Sequence, residues 1–263
     1  MEKDIITGSE ITRAQREQRA YDENGIWDRA HSWHSRFKHV FESPNTLRFE
    51  KLFEEVILTN APGKRVLEIG CGDGTVAERI FRSHPSYMMG IDISRKFITR
   101  AKQREQKGKL EFVLGDVSQP MDSRFDLIFG RSILHHLDYR RTLKTLYASN
   151  LVDGGVMAFM EPLGGNPLIK LYHAISNAHT PDEKSFKRED LNWFRGSFQE
   201  VSIHPINLFS FPCALISSYV LSSADNSLLR LTDKLDVWIA KRVKSLIPYF
   251  RHVVLIIRKP SPS

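Results

Sequence analysis

Cysteine is nearly absent: Cys71 and Cys213 are the only two in 263 residues, too few for a disulfide framework. The fold must then rest on packing and hydrogen bonds, as expected of a chain kept in a reducing cytoplasm. Long apolar runs are missing as well. The longest, residues 209–221, is too short and too polar to span a bilayer, and the charged N-terminal stretch lacks the apolar segment of a secretory signal. No Gly-Lys-Ser/Thr follows a glycine loop, which removes a P-loop and its phosphate anchor. No histidine or carboxylate spacing reads as a metal site, so no metal is expected. There is no internal repeat, and the only biased tract is the short tail KPSPS.

What remains is a chain with 41% hydrophobic and 26% charged residues, enough to bury one full core with an elaboration. Its 38 basic residues exceed its 31 acidic ones for a net charge of +7. The excess is scattered over residues 13–19, 96–109 and 241–244, which reads as solvated surface rather than a nucleic-acid footprint.

Residues 65–74, RVLEIGCGDG, join an apolar strand to a glycine loop and open a helix. Gly70, Gly72 and Gly74 let the backbone turn sharply and approach a ligand closely. A dinucleotide fingerprint would place its third glycine at position 75, where Thr75 stands, which weakens an NAD reading. Asp92 closes a second apolar stretch, YMMGI, at the separation where a carboxylate meets a ribose diol. Asp116 closes a third, LEFVLG. Each acidic group alone has a plain reading as a solvated strand end or a turn cap. At successive strand ends on one sheet edge they form the corners of a crevice.

Strands are expected at residues 65–69, 87–91, 110–114, 125–129, 155–161, 201–204 and 252–258, with helices from Thr75, from Ser94 and near Leu143. That alternation predicts an α/β fold with a mostly parallel sheet covered by helices on both faces. Residues 1–62 are expected to form an N-terminal helical lid, in which Tyr21, Ile26, Trp27, Trp33, Phe37, Val40 and Phe41 supply apolar mass. Residues 63–263 would form the main domain, with insertions at about 162–195 and 208–249 as substrate caps. The second insertion carries Lys234, Lys241, Arg242 and Lys244 beside spaced apolar residues, a pattern that suits a pocket cap, a subunit contact or a membrane surface.

The segments VLEIGCGDG, GIDIS, FVLGDV and FDLIFGRSILHHL, in this order, resemble the successive motifs of class I S-adenosylmethionine-dependent methyltransferases over residues 63–161. The resemblance implies a Rossmann-like, seven-stranded sheet whose last two strands form an antiparallel pair at one edge. It implies that S-adenosylmethionine is the cofactor and S-adenosylhomocysteine its product. Glu68, Gly70, Cys71, Gly72 and Gly74 would surround the methionine end, Asp92 and Ile93 the ribose, and Gly115, Asp116 and Val117 the adenine. Arg131 and Ser132 would border the methyl group, and Tyr21 would stack near the sulfonium or adenine. Cys71 reads as a packing residue.

A sulfonium methyl is already electrophilic, so the protein has mainly to align a nucleophile and exclude water. Where a base helps, His135 and His136 are the candidates, one of them facing the pocket; the alternative is ordinary hydrogen bonding in a helical turn. Glu161 precedes Pro162, where it binds substrate or caps the turn. Tyr172, His173 and Phe209 are the acceptor-side candidates. No Asn/Asp-Pro-Pro-Tyr/Phe follows the fourth strand, which argues against exocyclic amines of bases and glutamine-type amides. Phe186, Trp193, Phe194, Phe209 and Phe211 suit a small, apolar acceptor or core packing. Residues 161–183 also resemble bacterial methyltransferases of secondary metabolism, and the chain as a whole resembles the C-methyltransferases that act on prenyl chains, as in teleocidin biosynthesis. The partner implied is a small-molecule acceptor, alkylated at carbon with cyclisation, or at oxygen or nitrogen. RNA or protein is the alternative acceptor, a binding-only module is a further reading, and a homo-oligomer is compatible with all of these.

Overall fold

Seven strands form one sheet: β1 (Arg65–Ile69), β2 (Tyr87–Asp92), β3 (Leu110–Leu114), β4 (Phe125–Arg131), β5 (Leu151–Pro162), β6 (Glu200–Ile206) and β7 (His252–Arg258). Their order is β3-β2-β1-β4-β5-β7-β6, parallel throughout except for β7, which runs antiparallel to β5 and β6. The computed structural model describes residues 12–23, 35–119, 121–170 and 183–261. This is the Rossmann-like fold of class I methyltransferases, with the strand order reversing between β1 and β4. A crevice therefore opens at the carboxyl ends of those two strands. β5 begins at Leu151 rather than Gly155, past a register shift between Phe125 and Leu127.

The central strands read as near-continuous apolar runs because helices cover both faces. Alternate side chains enter two layers. Leu67, Ile69, Ile128, Phe159 and Leu255 face one, and Val66, Leu127, Phe129, Ala158 and Val254 the other. Each of the larger of these side chains contributes about 2 kcal/mol by leaving water. The Pro44–Asn60 helix starts at Ser43, whose Oγ accepts the Thr46 N–H at 3.4 Å, and packs Phe49, Phe53 and Ile57 into the second layer. Among the described residues no helix is long and apolar enough to cross a membrane.

Phe186 and Phe194 lie wholly in the core with Tyr139, at ring separations of 4.9 and 5.8 Å. Phe211 is buried against Val40 and Leu229. Packing therefore accounts for these aromatics of the two insertions.

The second insertion contains a pair of helices, Ser210–Val220 and Ser227–Arg242, joined by Asp236 to each other and to the Pro44–Asn60 helix. That carboxylate is 2% exposed and accepts the N–H groups of Leu208, Phe209 and Ser210 at 2.9, 2.8 and 3.1 Å, the Ser210 hydroxyl at 2.6 Å and the Asn45 amide at 3.2 Å. It satisfies orphan donors of a helix start that has no capping side chain of its own. Leu228, Leu231, Leu235 and Trp238 face outward on the second helix. Replacing Asp236 with Ala should cost about 3 kcal/mol or more, because several buried donors lose a charged acceptor at once. Urea unfolding of the variant measures this; an unchanged midpoint would contradict the anchoring role.

Candidate functional site

The glycine loop after β1 owes its shape to Gly74 and Gly72. Gly74 has φ of +79°, and a Cβ there would lie 2.7 Å from the Phe112 ring. Gly72 has φ of +53°, and a Cβ there would meet nothing within 4 Å, so the loop faces open space at this point. A ligand can approach the backbone here without displacing protein atoms.

Asp92, at the end of β2, closes the corner. Its Oδ2 accepts the Gly72 N–H at 2.9 Å and its Oδ1 the Ser94 N–H at 2.8 Å. Burial raises its pKa, while these two amide hydrogen bonds work in the opposite direction. Glu68 is 4% exposed and its Oε2 has no hydrogen-bond partner. Burial and the nearby Asp92 charge push its carboxyl well above the usual range. An acceptor buried without a donor is costly. The open face of Gly72 leaves room for the amino-acid end of a nucleoside cofactor over the loop.

Asp116 follows β3 and accepts the Ser118 N–H at 2.9 Å, with Gly115 beside it partly exposed and Val117 buried. Ile93 follows Asp92 at the same edge, and Cys71 is buried in the loop as a packing residue, its thiol pushed up by burial. Arg131 ion-pairs with Glu50, and Ser132 sits at φ of +51° with its N–H on the Met160 carbonyl.

β4 runs into a 3₁₀ turn, Leu134–His136, organised by Glu161 at the end of β5. Glu161 is fully buried and accepts the N–H groups of Ile133 and Leu134, each at 2.9 Å, while its Oε2 lies 2.6 Å from His135 Nδ1. Glu161 therefore holds the turn. His135 Nε2 faces Glu183 at 3.6 Å. Burial alone would lower the His135 pKa, but the Glu161 hydrogen bond and the Glu161, Glu183 and Glu17 carboxylates raise it above 6.5.

His136 meets the first helix, Arg13–Asp22. Its Nε2 is 3.1 Å from the Tyr21 hydroxyl and its Nδ1 is 3.1 Å from Glu17 Oε2. Burial and the surrounding carboxylates push the Tyr21 phenol up, so it stays protonated and can donate to Nε2. The same helix is docked at the Asp92 corner, where Asp22 Oδ1 accepts the Ser94 hydroxyl at 2.5 Å and the Lys96 N–H at 3.2 Å.

The sequence leads one to expect one of the two histidines at the crevice, with ordinary hydrogen bonding in the turn as the alternative. The tight turn brings both rings together, centroids 4.1 Å apart, and both contact carboxylates. His135, His136 and Glu183 present ligand atoms within 4.8 Å of one another, a set that sequence spacing did not reveal. Imidazole–carboxylate pairing accounts for the same arrangement. Glu17, Asp22 and Glu183 were not singled out by the sequence; the available signal was the i,i+4 placement of Glu17 and Tyr21 behind a Thr12/Gln15 capping box. Phe209 is 46% exposed beyond β6, three strands from β4. Tyr172, His173, Ile26, Trp27 and Trp33 lie outside the described residues.

Residues 66–155 match a family model described as a methyltransferase domain. An uncharacterized methyltransferase of Mycobacterium tuberculosis is 30% identical over 95 residues, 35% of this chain and 48% of that one. The phthiotriol/phenolphthiotriol dimycocerosates methyltransferase of Mycobacterium leprae is 32% identical over 123 residues, 46% of each chain. The chain thus spans about half the length of these curated relatives. Among solved structures, the N-methyltransferase NodS of Bradyrhizobium japonicum with S-adenosyl-L-homocysteine aligns with a TM-score of 0.53 at 16% identity, covering 84% of this chain and 90% of that one. With the strand order and the glycine loop described above, these matches identify residues 66–155 as part of a methyltransferase domain of Rossmann-like fold.

Proposed function

We propose that the chain transfers a methyl group from S-adenosylmethionine to a small, largely apolar acceptor. The observation that carries this reading is the open Gly72 backbone held beside the Asp92 carboxylate. Glu68 and the loop from Gly70 to Gly74 would take the methionine end, Asp92 and Ile93 the ribose, and Gly115, Asp116 and Val117 the adenine edge. Arg131 and Ser132 would border the reacting end. When bound, the cofactor supplies a sulfonium methyl that needs only a nucleophile aligned with the departing sulfur.

The Arg13–Asp22 helix acts as a lid. It reaches from Ser94 to the His135 carbonyl, which accepts from Arg13 Nη2 at 3.3 Å, and its contacts at both ends exclude water from the space between. Tyr21, His136 and Glu17 form a proton path. An acceptor O–H or N–H would give its proton to the Tyr21–His136 pair, and Glu17 would stabilise the imidazolium. For an alkene acceptor the π electrons form the new C–C bond. The resulting carbocation, free to cyclise first, then loses a proton to the same pair. His135 and Glu161 are positioning residues that fix the turn. Tyr172, His173 and Phe209 remain the proposed acceptor contacts, and residues 162–195 and 208–249 the proposed caps of a cytoplasmic enzyme.

Incubation with methyl-labelled S-adenosylmethionine and a host extract should place label in the solvent-extractable fraction. Label confined to polymer would contradict the small-acceptor reading. Replacing Tyr21 with Phe or His136 with Gln should lower kcat about 10²-fold or more while leaving cofactor affinity within about twofold, measured by steady-state kinetics and calorimetry.

The clamp on His135 also makes stability depend on pH. Its folded pKa is raised, so its contribution is fully present below the unfolded value of 6.5 and is lost as pH rises through the folded one. The stability difference between wild type and His135→Gln should be largest at about pH 6 and shrink at about pH 9 in urea titrations. A difference that grows with pH would contradict the charged clamp.

A further inference from the structure

Arg251 stands immediately before β7. Its N–H donates to the Ile206 and Asn207 carbonyls at 3.0 and 2.9 Å, and its carbonyl accepts from the Leu163 N–H at 3.0 Å. The backbone thus pins it at the carboxyl edge of the sheet, between the ends of β5 and β6. The guanidinium carbon lies 4.9 Å from the centre of the Phe41 ring and 5.8 Å from that of Phe211. Its one hydrogen bond runs from Nη1 to the Val40 carbonyl at 3.4 Å, the long limit of such a bond, and no carboxylate pairs with it among the described residues.

A guanidinium keeps its proton at neutral pH, so one held without a carboxylate partner is a standing cost. Burial, and then the charge of Arg131, pull its pKa down to about 10. Its neighbour His252 has a buried Nδ1 with no partner, and burial with the Arg251, Arg131 and His135 charges holds that ring neutral, well below its ordinary pKa. Of the nearby carboxylates, Glu50 is engaged by Arg131 and Glu161 by His135. The region collects basic groups and leaves the most enclosed of them without a counterion.

We propose that Arg251, with His252 beside it, forms an anion subsite that receives a phosphate or carboxylate group of the acceptor. His252 is the register partner of Pro162, adjacent to the Glu161 that positions His135, so the subsite adjoins the proposed reaction centre across one strand pair. The acceptor would then be an amphiphile with its charged end on Arg251 and its methyl-accepting atom at Tyr21 and His136. This rests on the reading that the crevice takes a small-molecule acceptor, but ion binding can be measured without cofactor or turnover.

The test is calorimetric titration of the full chain with inorganic phosphate and, separately, with sodium acetate. Binding of either ion, weakened about tenfold or more by Arg251→Gln and less than about twofold by Lys234→Gln at an exposed site, is expected, and the tighter ion names the head group. Binding of neither ion, or equal weakening in both variants as general screening of a +7 chain would give, overturns the subsite. Should Arg251→Gln fail to fold, Arg251→Lys keeps the charge without the planar fork. It should bind the ion several-fold more weakly, and unchanged affinity in that variant overturns the proposal. Cofactor affinity is measured in parallel: its absence from wild type would sink the methyltransferase reading and leave the ion-binding result standing on its own.

Discussion

The Asp92 carboxylate is the contact on which the rest of the crevice depends. One oxygen holds the glycine loop through Gly72 and the other holds the next loop through Ser94, so two separate strand ends share one anion. The backbone reinforces the corner, with the Gly70 and Cys71 N–H groups both reaching the Ile91 carbonyl. The consequence extends beyond cofactor contact. Ser94 also donates to Asp22, which docks the first helix and thereby delivers Tyr21 to His136. The geometry that would bind a ribose thus also sets the position of the proposed proton acceptor.

The other half of the crevice is organised by a second buried carboxylate. Glu161 has no exposure, and its acceptor capacity goes to backbone N–H groups and to His135. A buried anion satisfied in this way is a rigid fixture, since removing any partner leaves a charge uncompensated. Its neighbours His135 and His136 then differ in role through environment alone: one is clamped between carboxylates, the other is linked to a phenol on an element that comes from far away in the chain. The same edge continues to Arg251 and His252, where compensation is incomplete. The balance of charge along the sheet edge therefore separates a satisfied centre from an unsatisfied flank.

Much of this was legible in the sequence because it is local. The apolar run before Gly70, the glycines that need positive φ, and the acidic residues at strand ends are all written within a few residues of the feature they build. The antiparallel pair at the edge followed from the family resemblance, and the structure shows it as β7 between β5 and β6. The contributions that escaped notice are tertiary. Glu17 and Glu183 gain meaning only when distant segments converge on the histidine turn, and Arg251 reads in sequence as one more scattered cation. The aromatics of the insertions were ambiguous for the opposite reason, since composition does not distinguish a pocket wall from a core. Phe186 and Phe194 turn out to be core because they meet Tyr139.

The measurement that bears most directly on this account is a crystal structure of the protein with S-adenosylhomocysteine. The account predicts ribose hydroxyls within hydrogen-bond distance of the Asp92 carboxylate, the amino group on Glu68, and the sulfur facing Tyr21 and His136. A ligand bound elsewhere, or one whose ribose makes no contact with Asp92, would contradict it.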